Sequence, residues 1–184
     1  MGELKSAWEV AQERANRLGK LSAEERERQE RQGYGQIGQA LAQKWLDSPQ
    51  SFDMIAELDK YEEKGRDLIR KAAIERLAEA IDLTTAQGIK GAKKVVEAIG
   101  NLKPEVQTKT EEISQLLQEY EAAEQKMTQE LAGTYRQTLH QLRISGTAVD
   151  TANIEGNPQW HSARRGLIES FAPRLNDLKQ ALTG

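Results

Sequence analysis

The chain has 184 residues, a formal net charge of −3 and no cysteine. The length suits a single domain, and the lack of cysteine excludes disulfides, thiolate metal sites and cysteine catalysis. The slight net acidity gives no global electrostatic reason to expect nucleic acid. Good helix formers dominate and only four prolines interrupt them, so the composition predicts an all-α helical bundle.

Two helices are predicted at the start of the chain. The first runs from about Glu3 to Leu18, and Gly19 closes it. Ser22, three residues before Glu25, forms a capping box that starts the second helix.

The next helices follow a break at "DSPQS". Ser48 is the expected N-cap with Pro49 in the first helical position, and Ser51 is the alternative cap. Apolar residues then recur at helical spacing from Phe52 to about Leu83, which predicts one continuous helix. The sequence "DLTT" offers a joint before a shorter helix that ends near Ile99.

The stretch "RQGYGQIGQALAQKWL" contains a literal G-x-G-x-x-G at Gly33, Gly35 and Gly38. A dinucleotide-binding turn needs a buried strand before these glycines, whereas the preceding "EERERQERQ" is typical of a solvated helix. The glycines are therefore interpreted as part of a helix. On this interpretation Gly35, Gly38 and Ala42 form a small-residue stripe that lets a neighbouring helix approach closely.

One long helix dominates the second half of the sequence. Gly100 is the expected cap of the preceding helix, and Pro104 opens a helix that extends to Arg143. Forty helical residues span about 60 Å, which predicts an elongated bundle of five or six helices with a long coiled-coil-like member. Thr and Tyr interrupt its apolar stripe, so a packed bundle is favoured over a two-stranded zipper; the stripe comprises Val106, Ile113, Leu116, Tyr120, Met127, Leu131, Thr134, Thr138 and Leu142.

The predicted organisation has three parts. Residues 1–143 form the helical bundle including the long helix 104–143, and residues 144–157 form an ordered loop or linker. Residues 158–184 form a C-terminal helix that packs back on the bundle, with Asn157 as its cap and Pro158 in its first turn. Pro173 is expected to kink this helix.

No catalytic, cofactor or metal site is predicted. His140 and His161 lack the Glu three residues earlier that a di-iron bundle requires. The loop 144–157 holds Ser145, Thr147 and Asp150, but most loops offer such a set near a histidine. We therefore expect neither a cofactor nor a metal. The chain also lacks an apolar segment long enough for a membrane span or a signal peptide, so we expect a cytoplasmic protein.

A first candidate interaction site lies at Lys90, Lys93 and Lys94. The surrounding "LAEAIDLTTAQGIKGAKKVV" loosely resembles a helix-turn-helix, in which these lysines would face phosphates. Asp82 stands where that motif usually has glycine, and Gly88 stands where it has an apolar anchor. The alternative is a surface turn between two bundle helices. The "GIKG" within it also resembles the loop of KH domains, but no strands flank it.

A second candidate interaction site is the start of the last helix, "NPQWHSARR". Trp160 and Arg164 lie four residues apart and are expected to stack. Tryptophan and arginine are common in binding hot spots, so the candidate residues here are Trp160, His161, Arg164, Arg165 and Arg174. The alternative is that Trp160 plugs one end of the bundle while the arginines face water.

These observations favour a non-enzymatic helical interaction protein, meaning an adaptor, scaffold or assembly factor that binds another protein or itself. The first alternative is a nucleic-acid- or ribosome-associated factor that uses the basic faces near 90–94 or 164–174. The second alternative is a small-ligand binder or enzyme with a pocket under the 144–157 loop.

Overall fold

The computed structural model describes residues 22–84, 86–142 and 154–183. Within these residues six α-helices and two 3-10 turns follow one another and no β-strand occurs, which confirms the prediction of an all-α bundle. The predicted helix 3–18 and residues 144–153 of the predicted loop lie outside the described residues. The helices are α1 (Ala23–Asp47), α2 (Met54–Leu58), α3 (Glu63–Glu79), α4 (Ala86–Leu102), α5 (Gln107–Gln141) and α6 (Pro158–Thr183).

The capping box at the start of α1 is confirmed. The Ser22 hydroxyl accepts a hydrogen bond from the Glu25 amide at 3.1 Å, and the Glu25 carboxylate accepts one from the Ser22 amide at 2.7 Å. The expected cap of the next helix is wrong, because the Ser48 amide already donates to carbonyls of the last turn of α1. Asp53 caps α2 instead, since its carboxylate accepts hydrogen bonds from the Ile55 amide at 3.0 Å and from the Ala56 amide at 3.1 Å.

The continuous helix predicted from Phe52 to Leu83 is also wrong, because the chain turns between α2 and α3. The Arg66 guanidinium donates to the Tyr61 carbonyl at 3.1 Å and pairs with Asp59 at 3.5 Å. These bonds stabilise the turn between α2 and α3 from the first turn of α3. The spacing of apolar residues cannot predict them, because the groups involved are polar.

Helices α1 and α3 run side by side in the same direction. Tyr34 lies over Gly65, Gly38 lies against Ala72, and Gln43 accepts a hydrogen bond from Arg76 at 2.8 Å. A Cβ on Gly38 would overlap the backbone of α3, so the interpretation of Gly38 as a point of close approach is confirmed.

The small-residue stripe is shorter than predicted. Gly38 and Ala42 are buried, but Gly35 has no atom within 4 Å of the position its Cβ would take. Gly33 is equally open. Of the three glycines of the G-x-G-x-x-G segment, only the last, Gly38, lies in close contact with a neighbouring helix.

Helices α4 and α5 form an antiparallel pair joined by the 3-10 turn Pro104–Val106. The expected cap at Gly100 is wrong, because α4 continues to Leu102 and Gly100 lies inside it. A Cβ added at Gly100 would lie 3.5 Å from the Thr110 hydroxyl of α5. The long helix is confirmed. Its 35 residues span about 52 Å, and it ends at Gln141 rather than Arg143.

Helix α6 lies antiparallel to α5. Asn157 caps it as predicted, since its side-chain oxygen accepts from the Gln159 amide at 2.9 Å. The helix continues through Pro173 to Thr183, and the Phe171 ring meets the buried Tyr120 ring edge-on at 5.5 Å. The core shared by the helices includes Ile69, Leu77, Ile99, Ile113, Leu116, Leu117, Tyr120 and Leu182.

Candidate interaction surface

Arg164 of α6 is bound to two other elements of the protein. Its guanidinium donates to the Glu124 carboxylate of α5 at 2.6 Å and to the carbonyls of Thr84 and Leu83 at 2.6 and 3.2 Å. Burial alone would lower the pKa of Arg164, but the hydrogen bond with Glu124 raises it above its ordinary value. The side chain is 14% exposed, so the structure uses Arg164 to join α6, α5 and the α3–α4 connection.

Trp160 holds the first turn of α6 against α5. Its indole N–H donates to the Thr128 hydroxyl at 3.0 Å, and the Arg164 guanidinium lies 5.5 Å from the ring centroid. The predicted stacking of Trp160 and Arg164 is therefore confirmed. His161 is exposed and meets the indole edge-on at 5.2 Å.

The buried hydroxyl of Tyr120 completes this cluster. It lies 3.3 Å from the Glu124 carboxylate. Burial and the charge of Glu124 together raise the pKa of Tyr120 to about 12.

Three of the candidate basic residues pair with acidic residues of α5. Lys93 lies 2.7 Å from Glu121 and Arg174 lies 3.0 Å from Glu119, in addition to the Arg164–Glu124 pair. Lys93 reaches α5 from α4, whereas Arg164 and Arg174 reach it from α6. The basic residues are thus distributed around α5 and each is neutralised by a neighbouring carboxylate.

The remaining candidate residues lie on the surface. Lys90, Lys94 and Arg165 are exposed. Lys94 also lines an open groove of about 640 Å³ between α4 and the segment that follows α1. Apolar side chains that line this groove include Trp45, Phe52, Met54, Ile55 and Leu102.

Sequence reasoning missed Lys179, which binds the α3–α4 connection from the other end of α6. Its ammonium group donates to the carbonyls of Glu79 and Ile81 at 3.3 and 3.1 Å. Burial lowers the pKa of Lys179. No local signal marks this lysine, because its acceptors are backbone carbonyls about a hundred residues earlier in the chain.

Asp82 stabilises the same connection from within. Its carboxylate accepts hydrogen bonds from the amide and the hydroxyl of Thr84. Burial alone would raise the pKa of Asp82, but these bonds outweigh it and lower the pKa below its ordinary value. A carboxyl group whose pKa is lower in the folded state stabilises the fold above its unfolded pKa, near 4.

We therefore expect Asp82→Asn to lower the free energy of unfolding at neutral pH. The loss should shrink as the pH falls below about 4, through the folded-state pKa, because the wild-type carboxyl group is then protonated as well. Chemical denaturation of both proteins between pH 7 and pH 3 measures this difference. A difference that stays constant down to pH 3 would contradict the assigned charge state.

Two of the exposed apolar side chains of the described residues lie on the last three turns of α5. Tyr135 is 38% exposed and Leu142 is 65% exposed, while Leu131 and Leu139 are half-buried. On the same face of the first half of α5, Ile113, Leu117 and Tyr120 are fully buried. We call the surface from Leu131 to Leu142 the distal face. Sequence periodicity detected Leu131, Thr134, Thr138 and Leu142 as part of a stripe but missed Tyr135 and did not indicate exposure. The residues of the distal face were therefore absent from the predicted interaction sites.

The family profile of DUF6657, described as a family of unknown function, matches residues 55–183. This match covers more than half of the chain. The chain belongs to the DUF6657 family. No curated protein and no solved structure matches it.

The DUF6657 match includes α3, α4, α5 and α6 in full and leaves out α1. The Arg164 cluster and the distal face therefore both lie in the part of the chain that defines the family. No helix in the described ranges has the length and apolar character to cross a membrane. Among the described side chains no group of three or more histidines and carboxylates could hold a metal ion.

Proposed function

We propose that this protein is a non-enzymatic helical interaction protein, an adaptor, scaffold or assembly factor, that acts in the cytoplasm. Its binding surface is the distal face of α5, which receives a helix of another protein or of a second copy. The observation that supports the proposal is that one apolar stripe on α5 is fully buried in its first half, whereas Tyr135 and Leu142 are exposed in its second half. Amphipathic helices that lack an intramolecular partner are common docking elements.

Exposure of the apolar side chains supports this choice of surface. Among the described residues, three large hydrophobic side chains are exposed, and Tyr135 and Leu142 are two of them. The third is Ile55, at the edge of the groove beside α4. Exposed apolar residues that follow a helical stripe favour a binding surface over isolated surface positions.

The charge pattern also separates the two halves of α5. In the first half, Glu119, Glu121 and Glu124 bind cations of α4 and α6. Arg136 belongs to the same stretch but projects to the side of the helix away from the apolar stripe. The distal face itself consists of the uncharged positions Leu131, Ala132, Thr134, Tyr135, Thr138, Leu139, Gln141 and Leu142. Burying this face against a partner helix would therefore cost no desolvation of charge.

The nucleic-acid alternative has weaker support. It requires the candidate lysines and arginines to form one basic patch, whereas three of them pair with acidic residues of α5. Binding to phosphates would still give a complex that salt dissociates. The second alternative, a pocket under the loop 144–157, falls mostly outside the described residues.

The double substitution Tyr135→Ser and Leu142→Ser tests the proposal. We expect at least a tenfold loss of the protein's specific partners when tagged versions are purified from the cells of origin and quantified by mass spectrometry. The matched control is Gln129→Ser and Gln137→Ser, which places the same residue type on the exposed opposite side of the same helix. The control should retain the partners, since it leaves the distal face intact.

Two results would contradict the proposal. One is equal recovery of partners by the distal-face variant and its control. The other is a complex that carries excess absorbance at 260 nm and dissociates in salt, because that behaviour indicates nucleic acid.

A further inference from the structure

We draw no further inference here: the strongest candidate, the open groove of about 640 Å³ between α4 and the segment that follows α1, carries none, because Asp53, Lys94 and Glu97 give its rim charges of both signs and nothing in the structure shows what covers its apolar side chains.

Discussion

Replacing Arg164 with methionine is expected to lower the free energy of unfolding by about 3 kcal/mol, the range found when one member of a buried ion pair is removed. The substitution leaves the Glu124 carboxylate, 19% exposed, without its cation. It also removes the donors to the carbonyls of Leu83 and Thr84. Methionine preserves much of the volume, so the loss reports on the charge and the hydrogen bonds rather than on a cavity. Urea denaturation followed by circular dichroism measures it.

The neighbouring residue provides the matched control for this prediction. Arg165 is exposed, and Arg165→Met should change the free energy of unfolding by no more than about 0.5 kcal/mol. Equal effects of the two substitutions would show that Arg164 does not join the three elements energetically. An Arg164→Lys variant should recover only part of the loss, because one ammonium group cannot reproduce the three directions of the guanidinium donors.

Replacing Gly38 with alanine is expected to destabilise the protein by about 2 kcal/mol, which is typical of overpacking at a close helix contact. The added Cβ would overlap the Ile69 carbonyl and lie 2.8 Å from the Ala72 Cβ. Neither neighbour is the flexible end of a side chain, so α1 and α3 have to move apart. Denaturation in guanidinium chloride measures the change in the free energy of unfolding.

Two other glycines of the same helix should respond in the opposite direction. A Cβ on Gly33 or Gly35 meets no atom within 4 Å. Alanine at either position should stabilise the protein by up to about 1 kcal/mol through its higher helix propensity. Destabilisation at all three positions would mean that these glycines serve something other than the α1–α3 contact.

Local features of the fold were predictable from the sequence because their physical causes are local. The capping box of Ser22 and Glu25 and the cap at Asn157 each depend on groups within three residues of one another. The stacking of Trp160 and Arg164 depends only on their separation by four residues on a helix. The long helix depends on an uninterrupted run of helix formers.

Errors arose where a distant contact overrides local preference. Gly100 resembles a helix cap, but α5 packs against it and α4 continues. Periodicity extends from α2 into α3 although Arg66 holds a turn between them. The candidate arginine at 164 was predicted from composition, but its partners lie 40 to 81 residues away in the sequence.

The sequence by itself determined that the protein is all-α, that it contains one helix long enough to project from a bundle, and where most of its helices begin. Composition, capping residues and periodicity act over a few residues, so they can be read directly. Only the tertiary structure decided which half of the α5 stripe is buried, because burial depends on where α6 begins. It also decided that Arg164 binds within the protein while Tyr135 and Leu142 face outward, since exposure is a property of the assembled helices rather than of any one of them.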